Sequence, residues 1–276
     1  MMRDVPTTLA SPSNPRIKSI ARLRDRRERE ATGLTVVDGA REARRALESS
    51  VEVVEAFICE PLLAGEDARI ALGHLRDRGT PVTSTTEAAF AKIAFGERAE
   101  GLLLVIRIPS FRLDDLDLPV EPLLVVVEGV EKPGNLGAIL RSADGAGADA
   151  LIAASPRTDL ANPNVLRASA GTAFAVPLAA APTAEVIDWL AARDIRIVAA
   201  RVDAEADYAD TDLTGPLAIA LGSEADGLTD AWRGDAITPV RVPMAGIADS
   251  LNVSVTAAVL LYEARRQRDR HAERPD

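Results

Sequence analysis

The feature that most constrains this chain is an apolar run that recurs between helical segments in its second half. It reads LLVVVEGV from residue 123, ALIAAS from 150, IRIVAAR from 195, LAIALGS from 217 and TPVRVPM from 238. Strands that are apolar at nearly every position are buried on both faces, and their alternation with helices requires a parallel sheet covered on both sides. The first such run is followed by NLGAILRSADGAGA, where Leu136, Ile139, Leu140 and Ala143 recur at helical spacing and leave Gly137 and Arg141 on another face. A last helix is expected from near Ser250 to about Arg270, with Leu251, Val255, Ala258, Val259 and Tyr262 as its apolar stripe.

The first half alternates differently. A basic helix is expected near 14–30, followed by a strand at TVVDG (35–39), a helix at AREARRALE, a strand at VVEAFIC (53–59) and a helix ending at ALGHLRDRG. An extended PVTS (81–84), a helix at EAAFAKIA and a buried strand at GLLLVIRIP (101–109) complete it. The acidic, proline-containing SFRLDDLDLPVEP then interrupts the periodicity. The resulting division is a small α/β domain over 1–108, a linker over 109–122 and a larger α/β domain over 123–276.

Composition removes several chemistries. Two histidines, His74 and His271, and one cysteine, Cys59, are too few for a zinc or iron–sulfur site, so no metal is expected. There is no Walker pattern, and GAGAD (145–149) fails the G-x-G-x-x-G spacing. No apolar run approaches the ~20 residues of a membrane helix, and the first residues lack a secretory signal, which together predict a cytoplasmic protein without a membrane partner. The net charge of −10 argues against a broad nucleic-acid surface. Between Asn14 and Arg29, however, Arg16, Lys18, Arg22, Arg24, Arg26, Arg27 and Arg29 face only Asp25 and Glu28. That segment is either a solvated helix face or a local contact for phosphates.

In open parallel sheets ligands bind outside the carboxyl ends of the strands, which directs attention to three loops. EKPGNLGAILR follows the first run, with Asn135 as the expected N-cap and Arg141 on the exposed face of the helix. GSEADGL places Gly222, Ser223, Glu224 and Gly227 at a second strand end. PMAGIADSLNVSV delivers Ser250 and Asn252 to the start of the final helix, where either could serve simply as a cap.

The segments GVEKPGNLGAILRSADGAGAD, IALGSEADGL and VPMAGIADSLNVSVTAAVLLYEARRQ resemble, in order and spacing, the three motifs of the SpoU/TrmH-type ribose 2′-O-methyltransferases of the SPOUT superfamily. The intervening NPNVLRASAGTAFAVPLA is similar as well. Residues 14–108, opening with NPRIKSIARLRDR, resemble more loosely the ribosomal-protein-like substrate-binding domain that many members carry. The resemblance implies a parallel-sheet catalytic domain with a deep trefoil knot, a topology that periodicity cannot reveal. It implies S-adenosylmethionine as cofactor, contacted at Leu221, Gly222, Val242, Met244 and Leu251; Val242 stands where isoleucine is common in the family.

It also implies Arg141 as the central catalytic residue, either as base or as a phosphate-binding positioner, because a guanidinium has no acceptor. Asn135, Glu224, Ser250 and Asn252 complete the expected catalytic set, with Arg167, Arg22, Arg26 and Arg29 as RNA contacts. The implied assembly is a homodimer, and the implied substrate is structured RNA, ribosomal RNA before transfer RNA. A catalytically silent RNA-binding assembly factor and a small-molecule methyltransferase are the rival readings. Housekeeping and antibiotic-resistance roles are both compatible with these motifs.

Overall fold

The structure, a computed structural model, describes residues 8–95 and 99–272. The chain separates into two compact units. One is formed by the residues up to Pro109 together with Ala161–Ala175, and the other by Ser110–Leu160 with Val176 onward.

The first unit contains β1 (Leu34–Asp38), β2 (Val53–Ile58), β3 (Val82–Ser84) and β4 (Leu102–Arg107), in the sheet order β1-β4-β2-β3. The central β4 is antiparallel to both neighbours, and β2 and β3 are parallel. Alternation along the strands sends side chains to opposite faces. Val36, Phe57, Leu103 and Val105 pack with Ile17 and Ile20 of α1 (Pro15–Arg22) and with Ala89, Phe90 and Ile93 of α5 (Glu87–Ile93). Val37, Ala56, Leu102 and Leu104 pack with Ala43 and Leu47 of α3 (Ala40–Glu48) and with Ala71 and Leu75 of α4 (Gly65–Asp77).

The single helix expected over 14–30 is two helices, α1 and α2 (Arg26–Thr32). Asp25 breaks it. Its backbone is extended and its carboxylate accepts from Arg27 N at 2.9 Å, so the residue starts a new helix instead of continuing the old one. Such a cap stabilises a helix by about 1 kcal/mol. Arg29 closes the break from within, its Nη1 donating to the carbonyls of Leu23 and Arg24 at 2.8 Å each.

Residues 161–175 build into this first unit although sequence places them among the elements of the second. Here α7 (Pro163–Ala168) lies against β1 and contributes Leu166 to the core shared with α3 and α4. Thr35 Oγ1 donates to Ala161 O at 2.7 Å, and Arg167 Nη1 lies 2.7 Å from the buried carboxylate of Asp38. Gly171, at φ +84°, abuts the Arg45 side chain so closely that a Cβ would lie 2.7 Å from Arg45 Cδ. A side chain there would be strained at that φ and would displace Arg45.

The second unit is a six-stranded, wholly parallel sheet of order β10-β8-β9-β5-β6-β7. Its strands are β5 (Leu123–Glu128), β6 (Ala150–Ala154), β7 (Leu178–Ala181), β8 (Arg196–Ala200), β9 (Leu217–Leu221) and β10 (Ile237–Val240). On one face Leu124, Val126, Ile152 and Ala218 pack with Val186, Trp189 and Leu190 of α8 (Thr183–Ala191), and with Trp232. The alternate residues Leu123, Val125, Leu151 and Ile219 are equally buried. Two further helices, α6 (Pro133–Ala146) and α9 (Val253–Ala272), pack on each other and reach β6 and β9 respectively.

The 110–122 stretch is held against this unit. Phe111 O accepts from Ala180 N at 2.7 Å, and Leu113 is buried in the α8-side core. The stripe expected on α9 is not the one buried within the chain. Val253, Ala257, Leu260, Leu261 and Ala264 point inward, while Val255 and Tyr262 are 47% and 53% exposed. The sequence carries apolar residues on both sides of this helix, so periodicity alone does not choose between them.

Candidate active site

Strand order reverses between β5 and β9: the chain runs from β5 outward through β6 to β7, then crosses to β8 and returns through β9. The crevice outside the carboxyl ends of such a pair is where open parallel sheets bind ligands. Two of the loops singled out in the sequence leave from these strand ends, and the third leads from β10 into α9.

The β9 loop is tightly closed. Ser223 and Gly227 exchange backbone hydrogen bonds at 3.2 and 3.1 Å, and Ser223 Oγ accepts from Asp226 N at 3.1 Å. A Cβ on Gly222 would lie 2.0 Å from Gly227 C and 2.1 Å from Leu228 N. Glycine is therefore required where β9 enters its turn. Leu221, just before it, is 1% exposed.

Asn135 is not the N-cap of α6. The helix begins at Pro133, with Lys132 in the capping position and no side-chain cap, which places Asn135 in the first turn with its amide available. That amide joins the three loops. Its Nδ2 donates to Glu224 Oε1, and its Oδ1 accepts from Asn252 Nδ2 at 3.4 Å. Asn252 also caps α9, its Oδ1 accepting from Ser254 N at 2.9 Å while its carbonyl accepts from Val255 N and Thr256 N. Capping and site-building are thus the work of one residue.

Arg141 lies further along α6, exposed, with no hydrogen bond or ion pair to its guanidinium among the described residues. Ser250 is exposed immediately before Leu251, its hydroxyl likewise without a hydrogen bond among the described residues. Val242, Met244 and Leu251 are all partly buried along the connection from β10 to α9, whereas Ile247 at its middle is fully exposed.

Arginines expected to contact RNA fall into two groups. Arg22 and Arg26 are exposed and pair with Glu28 at 3.3 Å and Glu30 at 2.7 Å. Arg29 is 2% exposed and holds the carbonyls of the α1–α2 break, which removes it from the surface. Arg167 is committed to Asp38 and lies 3.8 Å from Glu100. Charge alone does not distinguish these arginines, because their partners are carbonyls in one case and a carboxylate 129 positions away in the other.

Two residues of the site region carry no signal in the three motif loops. Glu128 closes β5 and is 5% exposed, and Arg157, after β6, pairs with Glu131 and lies 3.6 Å from Asp226. For Glu128 a sign did exist: it is the one charged residue in the run LLVVVEGV. No group of three or more His, Cys, Asp or Glu residues suited to a metal occurs among the described residues, and no helix there is long and apolar enough to cross a membrane.

The SpoU rRNA Methylase family model matches residues 122–262, and an MRM3-like substrate binding domain matches residues 14–104. The chain is 39% identical over 182 residues to a 23S rRNA (uridine(2479)-2′-O)-methyltransferase of Streptomyces viridochromogenes, a match spanning 63% of each chain. It is 35% identical over 223 residues to the 23S rRNA (guanosine-2′-O-)-methyltransferase RlmB of Vibrio parahaemolyticus, covering 78% of this chain and 90% of that one. The crystal structure of an AdoMet-bound rRNA methyltransferase from Sinorhizobium meliloti superposes with a TM-score of 0.85 at 28% identity, covering 94% of this chain and 97% of the other. With three motif loops joined through Asn135 at the β5–β9 crevice, and with the family match running from the start of β5 into α9, the chain belongs to the SpoU rRNA methylase family.

Proposed function

We propose that this protein is a cytoplasmic S-adenosylmethionine-dependent methyltransferase that modifies the ribose 2′-hydroxyl of one nucleotide in ribosomal RNA. The observation that carries this reading is the chain Asn252–Asn135–Glu224, which draws three separate loops to one carboxyl-end crevice. Relatives that act on 23S rRNA, and an AdoMet-bound neighbour, support the substrate and the cofactor.

The residues present fit the cofactor. Val242, Met244 and Leu251 give partly buried apolar surface, and the glycine at 222 leaves backbone instead of side chain at the end of β9. Flat apolar walls with backbone polar groups suit an adenine ring. When bound, S-adenosylmethionine supplies an electrophilic methyl group on a sulfonium. The chain's task is then to bring a ribose hydroxyl in line and to stabilise it as its proton leaves. Arg141, exposed and unpaired among the described residues, is suited to grip a phosphate beside the target and so orient the hydroxyl; alignment and electrostatics are the sources of acceleration. Asn135, fixed on both sides, provides hydrogen bonds to the ribose together with Asn252, which donates to it, and Ser250, two residues before Asn252 in the chain.

Arg22 and Arg26, with their neighbours on α1 and α2, form the RNA-gripping surface of the first unit. The apolar stripe of α9 left outside the chain's own core favours a homodimer. The trefoil knot of the family belongs to the same reading, and the packing of α9 on α6 is compatible with it. Incubation with tritiated-methyl S-adenosylmethionine and ribosomal or transfer RNA lacking the mark, followed by nucleoside analysis, tests the proposal. Label in a ribose of ribosomal RNA is expected. Label only in transfer RNA would move the substrate, and cofactor binding absent by calorimetry would leave a catalytically silent RNA-binding factor.

A further inference from the structure

A buried carboxylate is costly unless donors surround it, and Glu128 sits at the end of an otherwise apolar strand with no cation paired to it among the described residues. Its donors are specific. Oε1 accepts from Thr183 Oγ1 at 2.7 Å and from Thr229 Oγ1 at 3.0 Å, and Oε2 accepts from Thr229 N at 2.8 Å. Both polar groups that Thr229 can donate therefore end on one carboxylate. The carbonyl of the same residue is held from the other side, where Arg201 Nη1 lies 3.2 Å from Leu228 O and 3.4 Å from Thr229 O. Arg201 is itself oriented by Asp203 at 3.0 Å.

Thr229 is the exit of the closed turn that begins at Gly222 and carries Glu224. Because the Ser223–Gly227 pair makes that turn a unit, fixing its exit fixes the direction in which Glu224 approaches Asn135. We propose that Glu128 is a positioning residue for methyl transfer, anchoring through Thr229 the turn that presents Glu224 to Asn135 and Gly222 to the cofactor. This rests on the function proposed above. It assigns a use to a charge that the strand's own packing does not need.

The test compares Thr229→Val and Thr183→Val, each removing one hydroxyl from the same carboxylate, with Glu128→Ala and Glu128→Gln beside them. Read-outs are amide hydrogen exchange of peptides spanning 222–229 in the free protein, S-adenosylmethionine affinity by calorimetry, and kcat and KM on ribosomal RNA lacking the mark. Thr229→Val is expected to speed exchange and to lower kcat and cofactor affinity about five- to tenfold, the scale of one lost hydrogen bond, with KM for RNA within about twofold. Thr183→Val, which removes a donor from Glu128 but leaves both hydrogen bonds from Thr229 in place, should leave all of these near wild type. Glu128→Gln should restore most of what Glu128→Ala loses, because an amide can accept from Thr229 N–H and donate to the two hydroxyls.

Equal loss of melting temperature in the two valine variants, with exchange, affinity and kcat unchanged in both, would overturn the anchoring role. A wild-type protein inactive on every RNA, yet with faster exchange at 222–229 in Thr229→Val alone, would overturn the proposed function and leave the anchor standing.

Discussion

Arg141 and Arg29 show how a single residue type takes opposite roles from its surroundings. One guanidinium stands exposed on α6 with no partner among the described residues, and the other is buried against two carbonyls. Arg141→Ala is therefore expected to lower kcat by at least about 10²-fold, as loss of an electrostatic contact made in the transition state does, while S-adenosylmethionine affinity by calorimetry stays within about twofold. Normal turnover in that variant would remove Arg141 from the mechanism. Glu42 offers a test of a different kind. Burial, reinforced by the nearby Glu100 carboxylate, raises its carboxyl above the ordinary range despite a backbone hydrogen bond and the opposing charges of Arg167 and Arg41. A group whose folded value is raised contributes stability that is complete below its unfolded value near 4.5 and is lost as pH rises through the folded one. Glu42→Gln should then be more stable than wild type at pH 7 in urea denaturation, with the difference gone at pH 4. A difference independent of pH would show that the carboxylate is not the cause. At this scale the sequence is legible wherever a motif fixes the residue's place, as for Asn135, Glu224 and Asn252. It is not legible for Arg29 or Arg167, whose partners are set by tertiary approach.

Elements repeat the pattern. Strands are readable because four or five consecutive apolar residues bounded by polar or turn residues match a strand buried on both faces, and β5, β6, β8 and β9 lie where those runs lie. The break between α1 and α2 is hidden within one basic run, since Asp25 is a helix-tolerated residue whose capping geometry depends on the local backbone. In α9 the difficulty is excess of signal. Leu251, Val255, Ala258, Val259 and Tyr262 make a good stripe, and so do Val253, Ala257, Leu260, Leu261 and Ala264; only the second is buried within the chain. A helix with two apolar sides is what an internal core and a subunit contact would each require. The double variant Val255→Glu with Tyr262→Glu is expected to convert a dimer to a monomer in sedimentation velocity, with the circular dichroism of the monomer retained. A wild-type monomer would leave the outer stripe without that role.

At the scale of the whole molecule, the order of residues along the chain differs from the order in which they pack. The alternation of strands and helices announces two α/β regions, and both sheets are present. What alternation cannot announce is that Ala161–Ala175 belongs with the first unit, because its contacts there lie more than 100 positions upstream. The energetic consequence is large. A fragment ending at Pro109 lacks Leu166, whose removal from a core costs about 2–5 kcal/mol. It also takes Arg167 from the Asp38 carboxylate, which is left with its hydrogen bond from Phe95 N at 2.8 Å. Thr35 loses its acceptor at Ala161 as well. Set against the roughly 5–15 kcal/mol by which a whole domain is stable, these losses bring the fragment to the edge of folding. Residues 1–109 alone are therefore expected to give no cooperative urea transition by circular dichroism, whereas the same residues joined by a flexible linker to 161–175 should recover one. If the bare fragment unfolds as sharply as the joined one and at the same midpoint, the inserted segment only lies on a unit that is already complete, and the stability argument from Asp38 and Leu166 fails with it.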